Sequence, residues 1–161
     1  MKLAERLTAV LPGVKVRRSA DVTGLLEACQ VVVTATTSSE PVLPDEPDLL
    51  RGRHFVGIGS YKPDVREFPP SLFELLETVF VDTDQALAES GDLIIPLARG
   101  WITQEQVMTL GRYLRLAQSG EQARGETTFF KSVGMALFDV CAAKLVYERA
   151  RQKGLGRELP D

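Results

Sequence analysis

The residues with the clearest chemical potential follow a run of valines. Val31-Val32-Val33 leads into Thr34-Ala35-Thr36-Thr37-Ser38, a set of hydroxyl side chains around one alanine. Consecutive β-branched apolar residues read as a buried parallel strand, so the hydroxyls fall in the loop at its carboxyl end. Open α/β sheets bind nucleotides at that place. Small residues there admit a ligand to the backbone, and threonine hydroxyls and amides can hydrogen-bond a ribose or a carboxamide. A strand end filled with β-branched residues accounts for Thr34 equally well. A second group, Gly57-Ile58-Gly59-Ser60-Tyr61-Lys62, carries the first two glycines of a dinucleotide fingerprint. The third is missing, and Pro63 stands where the helix should begin. The match is therefore a decoy. Gly57 and Gly59 fit a close backbone approach or a tight turn.

A phosphate-cradling G-x-G-x-x-G normally opens such a site. Upstream of Val31 the only glycines are Gly13 and Gly24. The pattern is a nucleotide cleft with half its floor left off. Elsewhere, Ser132 reads as the N-cap of a long last helix, whose positive end could hold a phosphate or a carboxamide. A plain cap serves as well, and Lys131 beside it meets an acid or phosphate or lies on the surface. Asp64, Arg66 and Glu67 read as a solvated turn with an internal ion pair, Gly91 as the end of a helix, and Trp101 as a packing anchor.

The elements that must position these groups alternate. A helix over Leu3 to Leu11 stops at Pro12-Gly13, and Val14 to Arg17 reads as a short strand. Ser19 or Asp21 caps a helix through Glu27, followed by the strand Val31 to Ala35 and a proline-rich crossing through Pro41, Pro44 and Pro47. His54 to Gly59 is a strand. Ser71 to Glu74 has the spacing of a capping box, and Thr78 to Val81 is a strand. Asp82 to Gln85 opens the next helix, and Thr103 to Gln106 opens another that runs to about Arg115. Ser119 to Gly125 is a polar loop, Thr127 to Phe130 a last strand, and Gly134 to Arg151 a long helix expected to be buried on more than one side. Alternation of strand and helix makes the class α/β with a parallel sheet.

Bulk properties exclude several roles. The 161 residues suit one domain, and a net charge of −3 leaves no footprint for nucleic acid or an anionic membrane surface. No apolar run is long enough to span a bilayer, and Met1 to Arg6 has no signal-peptide character. Cys29 and Cys141 are isolated, as reduced buried thiols would be, and a single histidine, His54, excludes a histidine-built metal site. A cytoplasmic location without a metal is expected.

From about Asp21 to Arg151 the chain resembles the ornithine cyclodeaminase/mu-crystallin family of NAD(P)-dependent proteins. The resemblance lies in Val32 to Thr36 with Glu40 to Leu43; Val56 to Gly59 with Pro63-Asp64 and Arg66-Glu67; Glu89 to Asp92; and Phe130 to Gly134 leading into Ala143 to Tyr147. It implies an incomplete Rossmann-type sheet lacking its glycine-loop start. Residues 1–132 would form the partial NAD(P)-binding domain. Residues 133–161 would form a C-terminal helix and polar tail that pack on an absent dimerisation and substrate domain. It further implies NAD or NADP as cofactor, a small amino acid or cyclic imine as substrate, and a homodimer for the complete protein. Thr34, Ala35, Thr36, Thr37, Gly59 and Ser132 would line the cofactor, with Tyr61 and Glu89 on the substrate side. Deaminating relatives carry an aspartate where this chain has Tyr61. A phenol cannot replace a carboxylate base at neutral pH, so the departure favours ketimine reductase or amino-acid dehydrogenase chemistry over cyclodeamination.

Two further expectations follow from a missing first half. Val31 to Thr34 becomes an open edge, which makes the isolated chain aggregation-prone or strand-swapped. A fragment could also serve as a non-catalytic binding or assembly module, or be an inactive gene piece.

Overall fold

The computed structural model describes residues 3–120 and 125–157. Its five strands, β1 (Val31–Thr34), β2 (His54–Gly57), β3 (Leu76–Val81), β4 (Val107–Thr109) and β5 (Thr127–Lys131), form one parallel sheet in the order β1-β2-β5-β3-β4. The α/β class is as read from sequence, and β5, the last of the described strands along the chain, lies between β2 and β3.

Paired residues of a parallel sheet share a face, so the registers sort the side chains. Val32, Phe55, Phe129 and Val79 lie on one face and are buried. Against them pack Leu26 of α2 (Val22–Ala28), Leu50 of α3 (Pro47–Leu50), Leu72 and Phe73 of α4 (Pro70–Glu74), Ala86 of α5 (Ala86–Glu89) and Leu93 of α6 (Gly91–Arg99). Phe68 sits edge-on to both Phe55 and Phe129, at centroid distances of 6.1 and 4.7 Å. Trp101 stacks on Phe73 at 6.2 Å, the packing role expected of it.

The opposite face carries Val31, Val33, His54, Val56, Thr128, Phe130 and Phe80. Helix α7 (Leu110–Gln118) covers only part of it, through Tyr113 on Phe80 at 5.2 Å. A cavity of about 300 Å³ lined by His54, Phe80, Leu110, Tyr113, Thr128 and Phe130 remains. Val31 and Val33 are 59% and 58% exposed. Parallel sheets ordinarily bury both faces, so this one is half dressed.

Several local expectations are corrected. Val14 to Arg17 is irregular, because among the described residues no strand lies beside it to complete a ladder. The box at Thr103 exists, with the Thr103 amide donating to Gln106 Oε1 at 2.9 Å, but it opens a single 3₁₀ turn (Gln104–Gln106). β-Branched Val107 then pairs with Val79, which inserts β4 before α7. Helix α4 begins behind Pro69, and the Ser71 amide donates instead to Asp45 Oδ1 at 2.9 Å. Gly91 does not finish a helix; Ser90 closes α5 and caps α6, accepting from the Asp92 amide. Helix α8 (Ala136–Gln152) has Met135, not Ser132, at its N-cap. It buries none of its residues, although burial on more than one side was expected; Leu137, Val140, Val146 and Tyr147 are all exposed. Helix α1 (Leu3–Val10) is likewise unburied. Asp21 does cap α2, accepting from the Gly24 amide at 2.7 Å. Part of the polar loop from Ser119 to Gly125 lies outside the described residues.

Candidate functional site

At the carboxyl ends of β1, β2 and β5 the loops converge on one carboxylate. Glu67, fully buried, accepts through Oε1 from the Thr36 amide at 2.7 Å. Through Oε2 it accepts from the Thr34 hydroxyl at 3.0 Å, the Gly59 amide at 3.0 Å and the Ser60 amide at 3.2 Å. Two loops are thus stitched to one side chain. Gly59 is required by this contact: a Cβ there would run into the Thr36 backbone and lie 2.7 Å from Glu67 Oε1. Gly57 is required for another reason, since a Cβ would meet Phe68 Cε2 at 2.7 Å and Lys131 Cδ at 3.3 Å.

Beneath Glu67 lies a second layer of charge. Asp92 Oδ1 accepts from the Glu67 and Phe68 amides at 2.7 and 3.2 Å, while its Oδ2 faces Lys131 Nζ at 3.5 Å. Both side chains of this ion pair are fully buried. Burial pushes the Asp92 carboxyl above its ordinary range, with Lys131 and the two amides opposing. Burial also pulls the Lys131 ammonium below its ordinary value, and Asp92 and Glu67 oppose that. Each shift disfavours the charged form, as expected for ions removed from water. Ser60 Oγ, hydrogen-bonded to the Val65 carbonyl and 2.8 Å from Ser90 Oγ, joins the loop after β2 to the start of α6. The Gly91 amide adds a bond to the Lys62 carbonyl at 2.9 Å, and a Cβ on Gly91 would crowd the Pro63 and Val65 carbonyls.

The candidates from sequence distribute around this network. Thr34 is buried and commits its hydroxyl to Glu67, whereas Ala35, Thr36 and Thr37 are exposed above it. Thr36 Oγ1 accepts only a long bond from the Ser38 amide, at 3.3 Å, and so stays open to a ligand. Gly59 is half-buried between the two loops, and Tyr61 is 54% exposed at the rim with Lys62 Nζ 5.5 Å from its ring centroid. Glu89 is exposed, on the turn that the Gly91–Lys62 bond ties to the Tyr61 loop. Ser132 donates to Asp82 Oδ2 at 2.8 Å, and the Val133 and Gly134 amides donate to the same oxygen at 3.0 and 2.9 Å. The donors after β5 are therefore occupied by a protein carboxylate.

Sequence reasoning misplaced Glu67 and left Lys131 undecided. Glu67 is neither solvated nor paired with Arg66, whose guanidinium instead lies 3.9 Å from Glu40. A signal for Lys131 existed: Thr127, Phe129 and Lys131 alternate along β5, which puts the lysine on the core face beside Phe129. Nothing comparable marks Glu67, whose burial depends on loops distant in sequence. Among the described residues no group of three His, Cys, Asp or Glu side chains is placed to hold a metal ion. Among them, too, no helix is long and apolar enough to cross a membrane.

A parallel sheet flanked by helices, with small and polar residues gathered at the carboxyl ends of its strands, defines a Rossmann-like α/β domain. The order of its strands and the loop cluster narrow the class no further, but comparison with known proteins does. The chain belongs to the ornithine cyclodeaminase/mu-crystallin family, whose model matches residues 1–154. It is 32% identical over 136 residues to a Delta(1)-pyrroline-2-carboxylate reductase of Bacillus cereus, which takes in 83% of this chain and 41% of that protein. It is 33% identical over 146 residues to the ketimine reductase mu-crystallin of Mus musculus, covering 90% of this chain and 43% of that one. Among solved structures it is similar to Thermococcus litoralis Delta(1)-pyrroline-2-carboxylate reductase in complex with NADH and L-proline. That match has a TM-score of 0.79 and 30% identity, over 97% of this chain and 48% of the other. The chain thus spans less than half the length of these relatives.

Proposed function

We propose that the protein carrying this sequence binds NAD or NADP across the carboxyl ends of β1 and β2 and interconverts a small cyclic imine or α-imino acid with its amino acid. The observation that carries the reading is the exposed Ala35-Thr36-Thr37 loop, held beside Gly59 by a shared carboxylate in a family that includes an NADH complex. The residues fit the nicotinamide and ribose end of such a cofactor: small side chains, an open threonine hydroxyl, and a glycine with no room for a Cβ. They supply no phosphate loop, and in this reading that part of the site falls to the stretch of the relatives' length that this chain does not span. When bound, the cofactor supplies or takes up the hydride.

The chain's own residues orient and exclude. Ala35, Thr36, Thr37 and Gly59 would hold the nicotinamide end of the cofactor, with Thr34 backing them from its bond to Glu67, and Ser132, fixed by Asp82, would border the site from the end of β5. Tyr61 and Glu89, on loops tied together through Gly91 and Lys62, face the substrate. Tyr61 puts a phenol at the rim of that loop, and a phenol is no carboxylate base at neutral pH, which favours reduction over cyclodeamination. The complete protein is a homodimer in this reading, with α8 packed on its substrate and dimer domain. The test is consumption of NADH and NADPH by the intact protein with Delta(1)-pyrroline-2-carboxylate and related imines. Absence of turnover with saturable cofactor binding would leave a binding protein; absence of both would overturn the proposal.

A second reading has its own support. The exposed β1 valines, the half-covered sheet face and the unburied α8 suit a module that assembles with another polypeptide. The mass of the protein in its native source decides between them. A product of 17.7 kDa favours the module, and one about twice that favours the enzyme.

A further inference from the structure

We propose that Glu67 is a positioning residue that clamps the loops after β1 and β2 at a set separation and so shapes the wall of the cleft. Its meaning for catalysis rests on the cofactor reading above; the clamp itself rests on geometry alone.

One carboxylate takes up donors from both sides. Oε1 is bound by the amide of Thr36, and Oε2 by the amides of Gly59 and Ser60 with the hydroxyl of Thr34. The two loops touch through Gly59, which has no room for a Cβ against Thr36. Their spacing is therefore fixed from above by backbone contact and from within by the side chain. The clamp is also anchored from below. The Glu67 amide donates to Asp92 Oδ1, and the other oxygen of Asp92 faces Lys131, which belongs to β5 in the middle of the sheet. Asp92 itself sits in the first turn of α6, behind the Ser90 cap. The loops that carry Thr36 and Tyr61 are thus keyed to the rigid sheet through buried charge. A group serving only to fill the core would not need to be an anion, because aliphatic packing there costs less than burying charge. Only an acceptor-only side chain with two oxygens can serve four donors at once.

Glu67→Gln tests this. A carboxamide keeps the shape but turns a donor toward donors, so one of the two loops must release. In the protein as its source produces it, site-resolved hydrogen exchange should quicken about tenfold or more at Thr36, or at Gly59 and Ser60, with Phe129 in the core unchanged. The affinity for NADH, read by fluorescence titration, should weaken about tenfold, while a variant distant from the loops (Arg115→Gln) leaves both readouts alone. Glu67→Asp, which keeps the anion but draws its oxygens back by one methylene so that they cannot reach both loops, provides the same test should Glu67→Gln not fold; exchange at Thr36, or at Gly59 and Ser60, should rise about threefold. Exchange that rises uniformly over the sheet, or loops whose exchange stays at wild-type rates, would overturn the clamp. Local release of the loops in a protein whose wild-type form binds no NADH would uphold the clamp and overturn the cofactor reading.

Discussion

Replacing Gly59 by alanine isolates the contact on which the cleft depends. Gly59 is not among the glycines with positive φ, so alanine can adopt its backbone conformation and should gain about 0.4–1 kcal/mol from a stiffer unfolded chain. The objection is steric. The new Cβ would overlap the Thr36 backbone and stand 2.7 Å from Glu67 Oε1. Backbone cannot rotate away as a flexible side chain can, so the loops must part. Overpacking of this kind costs about 1–3 kcal/mol. Loss of the Thr36 amide bond to a charged acceptor adds about 1.5–3 kcal/mol. Net destabilisation should be about 1.5–5.5 kcal/mol once the entropy gain is subtracted. For a domain of this size that lowers Tm by about 3–22 °C. NADH affinity should fall at least tenfold at temperatures where the variant remains folded. Gly111→Ala in α7 is the control: its nearest neighbour is Arg115 Nη1 at 3.8 Å, and the helix should gain up to about 1 kcal/mol. A Gly59→Ala protein with wild-type Tm and wild-type NADH affinity would refute the claim that the two loops are in contact.

Other outcomes follow from the same geometry. Lys131→Met leaves Asp92 charged and unpaired in the interior and should cost about 3–5 kcal/mol in chemical denaturation, whereas Asp92→Asn with Lys131→Met should restore or exceed wild-type stability. The pH dependence has a definite sign. Because the folded Asp92 carboxyl is raised, its contribution is lost as pH climbs from its ordinary 3.8 through the folded value. The lowered Lys131 regains stability only as pH approaches its ordinary 10.5. The double variant should therefore gain on wild type between mild acid and neutrality and lose only the lysine's share of that advantage in strong alkali; a constant difference across this span contradicts the assignment. Thr36→Arg should weaken NAD(P)H binding in the complete protein without changing Tm, since the side chain is exposed; unchanged affinity removes Thr36 from the site. Val33→Lys should reduce self-association of the isolated chain in light scattering, with stability altered by less than about 0.5 kcal/mol.

What the sequence disclosed and what it hid divide along the range of the interactions. Val31-Val32-Val33, His54 to Gly57 and Thr127 to Phe130 are strands because local β-branched and aromatic content demands it, and each was legible. Asp21 as a cap was legible for the same reason. Val107 to Thr109 was hidden because the turn at Gln104 has a true helix-start signature, and only pairing with Val79 overrides it. The site divides in the same way. The exposed threonines and the paired glycines stand out as candidates by their types and spacing. Glu67 could not, because its partners lie 7 to 33 residues away along the chain and a carboxylate between arginine and phenylalanine looks like surface. Ser132 was singled out, yet its hydroxyl and the amides after it serve Asp82, 50 to 52 residues earlier.

The place of β5 in the sheet bears on how the protein is made. Among the described strands it is the last to leave the ribosome, yet it stands between β2 and β3. Until Thr127 to Lys131 emerge, the sheet consists of two unjoined pairs, each with a raw inner border of unsatisfied amides and carbonyls. His54 waits for Thr128 across 74 residues of chain. Such distant pairing makes folding slow and leaves the nascent chain sticky while it waits. A premature stop between Thr109 and Thr127 would not trim the molecule at one end but would leave it split down the middle.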